Sequence, residues 1–498
     1  MPKRKPKAKA AAAPPQNWYH TREVLTNVYA AATGKSVVAR LLLGEWVKPT
    51  ADIAGAKGRI QVRYRGGTGY IDDPELLGPR CLEIYFIDVG QGDAILIQTP
   101  EDHRVLIDGG KGDEALAFLE NKYRLDKPDN FTDFDAVICT HQDEDHAKGA
   151  IPILKHKKLA VRAFYHNGLF RRTDKAADPG PHSATSVDGL LDDPRGQAGL
   201  TPLMTKLADA LDAADANLKR LAALTPKGDR LKEVQKRLGA NTTLKVKRLD
   251  AAAASGFVPG FDGAREPLRL EVLWPRASRG AGGDVYPWYG DAGKTVNGNS
   301  VVLRIVYGKT AVLLSGDINR AASADILAAL GDRDIKADVY KAAHHGSQDF
   351  SPAFLERVAP NAAVISSGDE RDDVYGHPRA VLVGSIVRHS RKGAPAVFCT
   401  ELARCYTPLT QTELKKYRTV KGDLYEKSIE GIIHVRCALI AGKPDRLAVG
   451  AVYNKTHLKS KTGPSPKSQA RDKEEKFAWK WDVWPDPREE GPDAGDTP

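Results

Sequence analysis

The sequence predicts an α/β protein: a mixed sheet carrying helices, with a small β-barrel module before it and a helical hairpin inserted into it. Three observations lead there. Apolar, β-branched runs recur through 82–107, 136–140, 268–274 and 300–314, and helical patterns separate several of them. Between about 17 and 77 the runs are shorter and are divided by turn residues. Between 201 and 238 leucines return at spacings of four and three.

Residues 1–16 are rich in Lys, Ala and Pro without apolar periodicity, so they are expected to be a disordered basic tail. From 17 to 80 the short runs Val37–Leu43, Trp46–Val47, Arg59–Tyr64 and Gly69–Ile71 predict a small β domain. The main domain is expected over 81–453, with an insertion at about 167–265. In that insertion Thr201-Pro202 makes a helix start, Leu207, Leu211, Ala214, Leu218 and Leu221 mark one face, and Leu231, Val234 and Leu238 mark a second helix after Pro226-Lys227-Gly228. Beyond 454 a Lys-, Ser- and Pro-rich disordered tail is expected, in which Trp479, Trp481 and Trp484 form a candidate docking peptide.

The 498 residues, 41% of them hydrophobic, are enough for a large core. No apolar run reaches the length of a membrane span, and no apolar stretch follows the basic N-terminus, so the expectation is a cytoplasmic protein without a membrane role. Five scattered cysteines with no C-x-x-C pair point to neither a disulfide framework nor a thiolate zinc site. The net charge of +10 is concentrated in the tails, since Lys3, Arg4, Lys5, Lys7 and Lys9 supply half of it. Such a balance is compatible with a nucleic-acid partner and equally with a solubilising role.

The chemistry concentrates at one stretch, Val137-Ile138-Cys139-Thr140-His141-Gln142-Asp143-Glu144-Asp145-His146. A strand there ends in four ligand-type side chains, His141, Asp143, Asp145 and His146, packed into six positions. Later strand ends carry Asp317, the pair His344-His345, and His377. Imidazole and carboxylate together suit a pair of divalent ions such as Zn²⁺ or Mn²⁺, because neutral nitrogen and anionic oxygen are good ligands for both. Polar residues repeated at the strand ends of an α/β sheet are the usual construction of an active site.

Six ordered motifs carry a family resemblance: Phe-Ile-Asp-Val-Gly-Gln-Gly-Asp-Ala, Leu-Ile-Asp-Gly-Gly, Thr-His-Gln-Asp-Glu-Asp-His-Ala-Lys-Gly, Asn-Ser-Val-Val-Leu with Leu-Leu-Ser-Gly-Asp, His-His-Gly-Ser, and Tyr-Gly-His-Pro. Together they resemble the metallo-β-lactamase superfamily and, within it, the ComEC-type competence-protein hydrolases. The resemblance implies an αββα sandwich with a dinuclear site at one edge. It makes His141, Asp143, Asp145, His146, Asp317 and His345 the metal ligands. Asp145, His344 and His377 become the catalytic residues, and Asn299, Lys341 and Ser347 become substrate contacts. The implied reaction is hydrolysis of a DNA or RNA phosphodiester by a metal-bridging hydroxide. A small-molecule or cell-envelope phosphodiester, and a non-catalytic scaffold with a degenerate site, are the alternatives. Asp143 stands where the commoner superfamily pattern has His, and Asn297 or Asn299 stands where it has another. Both changes make the first site richer in oxygen, which favours Mn²⁺ over Zn²⁺. The earlier segment, with Leu-Leu-Leu-Gly-Glu-Trp-Val followed by Gly-Tyr-Ile, resembles bacterial SH3-like modules. That resemblance implies a candidate protein partner for this module, as for the Trp-containing tail.

Overall fold

The computed structural model describes residues 19–454 and the strand Trp479–Trp484, except for 24, 52, 54–57, 65–66, 73–76, 174–177, 254, 369–375, 394, 401–404, 409–424, 430, 441 and 443. Residues 1–16, most of 455–498 and Tyr375 of the Tyr-Gly-His-Pro motif lie outside the described residues. The chain divides into two compact units between Cys81 and Leu82.

In the first unit, short antiparallel strands pair around a small core of Val28, Leu41, Val47, Val62 and Ile71. The pairing of Ile60–Tyr64 with Gly67–Ile71 closes a tight hairpin.

The second unit is built on two sheets. From one edge of the first sheet to the other, the strands are Lys245–Arg248, Ala163–His166, Ala136–Cys139, Arg104–Ile107, Ile95–Gln98, Leu82–Ile87, Ile432–Ala438, Arg446–Asn454 and Trp479–Trp484. The second runs from Phe257–Asp262 through Leu268–Trp274, Val302–Tyr307, Thr310–Leu314, Val339–Lys341 and Ala362–Ile365 to Ala396–Cys399. One apolar cluster fills the space between them. Ile84, Phe86, Ile97 and Ile138 come from the first sheet, and Leu270, Leu303, Val312 and Val364 come from the second.

The outer face of the first sheet packs on Leu119, Ile153, Leu207 and Leu218, and that of the second on Ile326, Phe354, Leu355 and Leu382. These belong to helices, so the layers run helix, sheet, sheet, helix. Central strands such as Ala136–Cys139 and Ala362–Ile365 are buried along their whole length, which is why they read as unbroken apolar runs rather than as alternating ones.

Helices Pro202–Ala223 and Asp229–Leu238 occupy part of the interval 167–265. Gln235 Nε2 joins them by donating to the carbonyls of Leu221 at 2.9 Å and Leu224 at 2.7 Å. The same interval also contributes Lys245–Arg248, an edge strand of the first sheet parallel to Ala163–His166. At the other edge, Trp479–Trp484 pairs antiparallel with Arg446–Asn454. That corrects the expectation of a structureless tail at these six residues: three Trp and a Val suit a strand, and an open sheet edge supplies the backbone partners.

Parallel pairing sets up the site. Arg104–Ile107, Ala136–Cys139 and Ala163–His166 run parallel in the first sheet. Thr310–Leu314, Val339–Lys341 and Ala362–Ile365 do so in the second. Their carboxyl ends therefore gather at one edge of the sandwich. Val301 N donates to Thr140 O at 2.9 Å, and Asn167 Nδ2 donates to Asn299 O at 2.9 Å, so the two sheets are tied together there.

Candidate metal centre

After Cys139 the chain leaves the sheet, and Asp143 precedes the short helix Glu144–Ala147. One turn is enough to bring Asp145 and His146 back toward His141. From the opposite sheet, Thr310–Leu314 ends in Ser315-Gly316-Asp317, and Val339–Lys341 ends in His344-His345. Both His344 (φ 49°) and His345 (φ 51°) adopt left-handed backbone, as does Asp108 (φ 56°). Such backbone is uncommon for residues with a Cβ and collects at functional sites.

The donor atoms converge. His146 Nε2 lies 3.2 Å from His345 Nε2 and 3.3 Å from Asp317 Oδ2. His345 Nε2 lies 3.2 Å from both Asp317 Oδ2 and Asp145 Oδ2. His141 joins His146 and Asp317 in a second group whose ligand atoms all fall within 4.8 Å of one another.

The far nitrogens explain why these atoms face inward. His146 Nδ1 is 2.9 Å from Asp108 Oδ2, and His345 Nδ1 donates to Ser366 O at 3.0 Å. A hydrogen bond at Nδ1 puts the proton there and leaves the Nε2 lone pair for a metal. His141 Nε2 is buried without a hydrogen-bond partner, while its Nδ1 sits 3.3 Å from Ser300 Oγ. An orphaned imidazole nitrogen beside carboxylates fits a divalent ion.

Electrostatics point the same way. Burial by itself lowers the pKa of His146, but the carboxylates of Asp317 and Asp108 more than offset it and hold the pKa well above the usual imidazole range. His345 is likewise opposed by burial and pushed up to about 10 by Asp317 and Asp145. Burial raises Asp317, yet the surrounding histidines bring it well below the usual carboxylate range. Positive charge is favoured at this spot, and a proton or a metal ion supplies it.

Residues 87–209 match the Metallo-beta-lactamase superfamily. That stretch carries the metallo-beta-lactamase domain match. The chain is also similar to ComE operon protein 3 of Bacillus subtilis, 24% identical over 326 residues that cover 62% of this chain and 31% of that protein. Competence protein ComA of Neisseria gonorrhoeae is 34% identical over 97 residues, covering 19% of this chain and 14% of that protein. The chain thus spans less than a third of the length of these relatives. Among solved structures, CmlA, a diiron beta-hydroxylase from Streptomyces venezuelae, aligns with a TM-score of 0.33 at 11% identity, covering 65% of this chain and 54% of that one.

The structure brings together His141, Asp145 and His146, from the matched stretch, with Asp317 and His345 from beyond it. Asp143 stands at the edge of this group. Its Oδ2 is 3.8 Å from His141 Nε2, and its Oδ1 is held by Arg171 Nη2 at 2.6 Å. His344 lies at the rim, its side chain 31% exposed and its Nε2 3.9 Å from Asp317 Oδ2, with the His377 ring centroid 5.7 Å away.

The three residues that the resemblance implies as substrate contacts have partners inside the fold. Lys341 is fully buried, and its ammonium pairs with Asp93, so it has no access to a substrate. Asn299 is also fully buried, and its amide donates to Pro287 O at 3.0 Å and Thr295 O at 2.9 Å. The Ser347 hydroxyl accepts from Asp349 N at 3.2 Å and shapes the turn after the histidines. Lys341 answers a buried charge, the Asn299 amide two backbone carbonyls and Ser347 a turn amide, demands that a strand-end position does not reveal.

Asp108, Ser300, Asp93 and Arg171, given no role from the sequence, now have one. Asp108 accepts from Thr140 N and Thr140 Oγ1, both at 2.7 Å, as well as pairing with His146. Ser300 accepts from Asp317 N at 3.1 Å on its own sheet, and its Oγ meets His141 Nδ1 from the other sheet at 3.3 Å. Asp93 and Arg171 are counter-ions to Lys341 and Asp143. The signal for Asp93 and Asp108 lay in their Gly-flanked strand-end motifs. Glycine is needed close by: a Cβ on Gly92 (φ +143°) would strike Asp145 O, and one on Gly316 (φ +50°) would come 2.7 Å from Ser300 Cβ.

Proposed function

We propose that the chain is a metal-dependent hydrolase acting on phosphodiester bonds, with DNA or RNA as its substrate class. One observation carries this reading: two histidines on different sheets turn their Nε2 atoms onto the same carboxylates, while Asp108 and the Ser366 carbonyl hold their Nδ1 atoms. Asp145, His146, Asp317 and His345 would hold one divalent ion, and His141 with Asp317, and Asp143 nearby, would hold the other. When bound, such ions acidify a water and stabilise charge on a phosphoryl oxygen. Zn²⁺ and Mn²⁺ both suit the set, and the oxygen contributed by Asp143 favours Mn²⁺.

The remaining steps belong to the protein. Asp108 fixes the tautomer of His146, and Ser300 orients His141 and Asp317. His344, partly open to solvent and beside His377, delivers a proton to the leaving oxygen. The similarity to competence proteins supports a nucleic acid over a small ester, and the basic residues 3–9 are compatible with that choice. The first unit and the Trp479–Trp484 segment are proposed as protein-contact elements, the former on its SH3-like pattern, and the location as the cytoplasm.

The test is hydrolysis by purified protein with Mn²⁺ or Zn²⁺, offered single- and double-stranded DNA, RNA and bis(p-nitrophenyl) phosphate. Metal-dependent cleavage of a nucleic acid that is abolished by Asp145→Ala is expected. Cleavage of the small ester alone transfers the assignment to a small-molecule phosphodiester. Survival of every substrate, with metal content unchanged by Asp145→Ala, leaves only a binding scaffold.

A further inference from the structure

Lys341 is fully buried in the midst of the ligand carboxylates. Its Nζ pairs with Asp93 Oδ2, lies 3.7 Å from Asp317 Oδ1 and donates to Gly316 O at 3.2 Å. Asp317 is thereby shared. Its Oδ2 faces the Nε2 atoms of His146 and His345, and its Oδ1 faces the ammonium. Asp93 and Asp108 also offer oxygens which, with His146 Nδ1, all fall within 4.8 Å of one another, a spacing that would suit a cation. A cation is already at hand there, because the lysine ammonium neutralises Asp93.

We propose that Lys341 is a built-in cation of the metal centre, a positioning residue that keeps the ligand set assembled before metal arrives and limits how tightly metal is held. The proposal rests on reading the cluster as a metal site. Two physical consequences follow from the geometry. Without the ammonium, Asp93 is a buried carboxylate lacking its principal counter-charge, which is strongly destabilising unless another cation enters. With it, Asp317 offers incoming ions a carboxylate already half-neutralised, and the fixed positive charge repels them through a low-dielectric interior.

Lys341→Met keeps an unbranched apolar stem and removes the charge. In the presence of chelator its melting temperature is expected to fall well below that of the wild type. In a chelator competition it is expected to bind Zn²⁺ at least tenfold more tightly. Adding Asp93→Asn removes the stranded carboxylate, so the double variant is expected to recover metal-free stability and return toward wild-type affinity. An unchanged metal-free melting temperature, or unchanged or weaker Zn²⁺ binding, overturns the proposal. If Lys341→Met does not fold, the double variant decides: recovered folding with near wild-type affinity supports the built-in cation, and continued failure to fold shows that Lys341 serves packing alone. A wild-type protein that takes up neither Zn²⁺ nor Mn²⁺ is a distinct result, which sinks the metal-centre reading itself.

Discussion

Asp108 Oδ2 lies 2.9 Å from His146 Nδ1, with both side chains fully withdrawn from solvent. The carboxylate comes from the end of one parallel strand and the imidazole from the helix after its neighbour, so register between Arg104–Ile107 and Ala136–Cys139 sets their distance. Asp108→Asn removes the charge while keeping the shape, and it alters the His146 contact together with the Thr140 Oγ1 hydrogen bond on the same oxygen. Asp108→Asn is expected to weaken metal binding by about 10- to 100-fold, since outer partners of ligand histidines typically contribute that much. Metal content after dialysis against graded chelator, read by elemental analysis, checks it; undiminished retention would contradict the assigned role.

His344 and His377 face each other at the rim rather than inside the ligand cluster. His344→Asn and His377→Asn are therefore expected to keep the full metal complement. If His344 protonates the leaving oxygen, its loss lowers kcat by about 10²- to 10⁴-fold and removes the alkaline limb of the pH–rate profile. Equal losses of metal and activity would instead make it a ligand.

His166 provides a pH prediction away from the ligands. Gly168 N donates to its Nδ1 at 3.0 Å and its Nε2 donates to Asp192 O at 3.1 Å, so the folded protein accommodates only the neutral ring. Burial lowers its pKa to about 4, against 6.5 unperturbed. The unfolded chain therefore binds the extra proton between those values. Stability contributed here is complete above pH 6.5 and is lost as pH falls toward 4, by about 2 kcal/mol at pH 5. His434, lowered to about 3 chiefly by burial and then by Arg436, acts in the same direction. Urea unfolding of metal-free wild type and His166→Gln at pH 7 and pH 5 tests the sign: the wild type is expected to lose more stability than the variant. An equal loss in the two would refute it.

Gly316 is the hinge between a strand and the ligand Asp317. Its φ is +50°, and a Cβ at this position would stand only 2.7 Å from Ser300 Cβ. Gly316→Ala is therefore expected to cost about 1–3 kcal/mol and to displace Asp317. Thermal unfolding with and without metal measures both effects. By contrast Phe86→Ala, deep between the sheets, is expected to cost about 3–5 kcal/mol while leaving the metal stoichiometry at wild type in the folded fraction.

The linear sequence by itself determined the local pieces. Ala136–Cys139 reads as a strand because four successive apolar residues suit burial on both faces, and His141 to His146 reads as the ligand-bearing stretch because it packs imidazoles and carboxylates after that strand, although its last residues form the short helix Glu144–Ala147. Repeated strand ends bearing Asp or His made a site at one sheet edge legible in advance. Trp479–Trp484 was not, since an edge strand takes its backbone partners from a distant segment and its own periodicity is short.

Only the tertiary structure decided which polar residue does what. Lys341, Asn299 and Ser347 sit in motifs of the same kind as His345, yet Lys341 answers a buried charge, Asn299 two backbone carbonyls and Ser347 a turn amide. Asp108 and Ser300 gained their roles because parallel pairing and cross-sheet contact set them against His146 and His141. A hydrogen bond depends on ångström distances between atoms far apart in the chain, and sequence spacing carries no record of them until the sheets are packed.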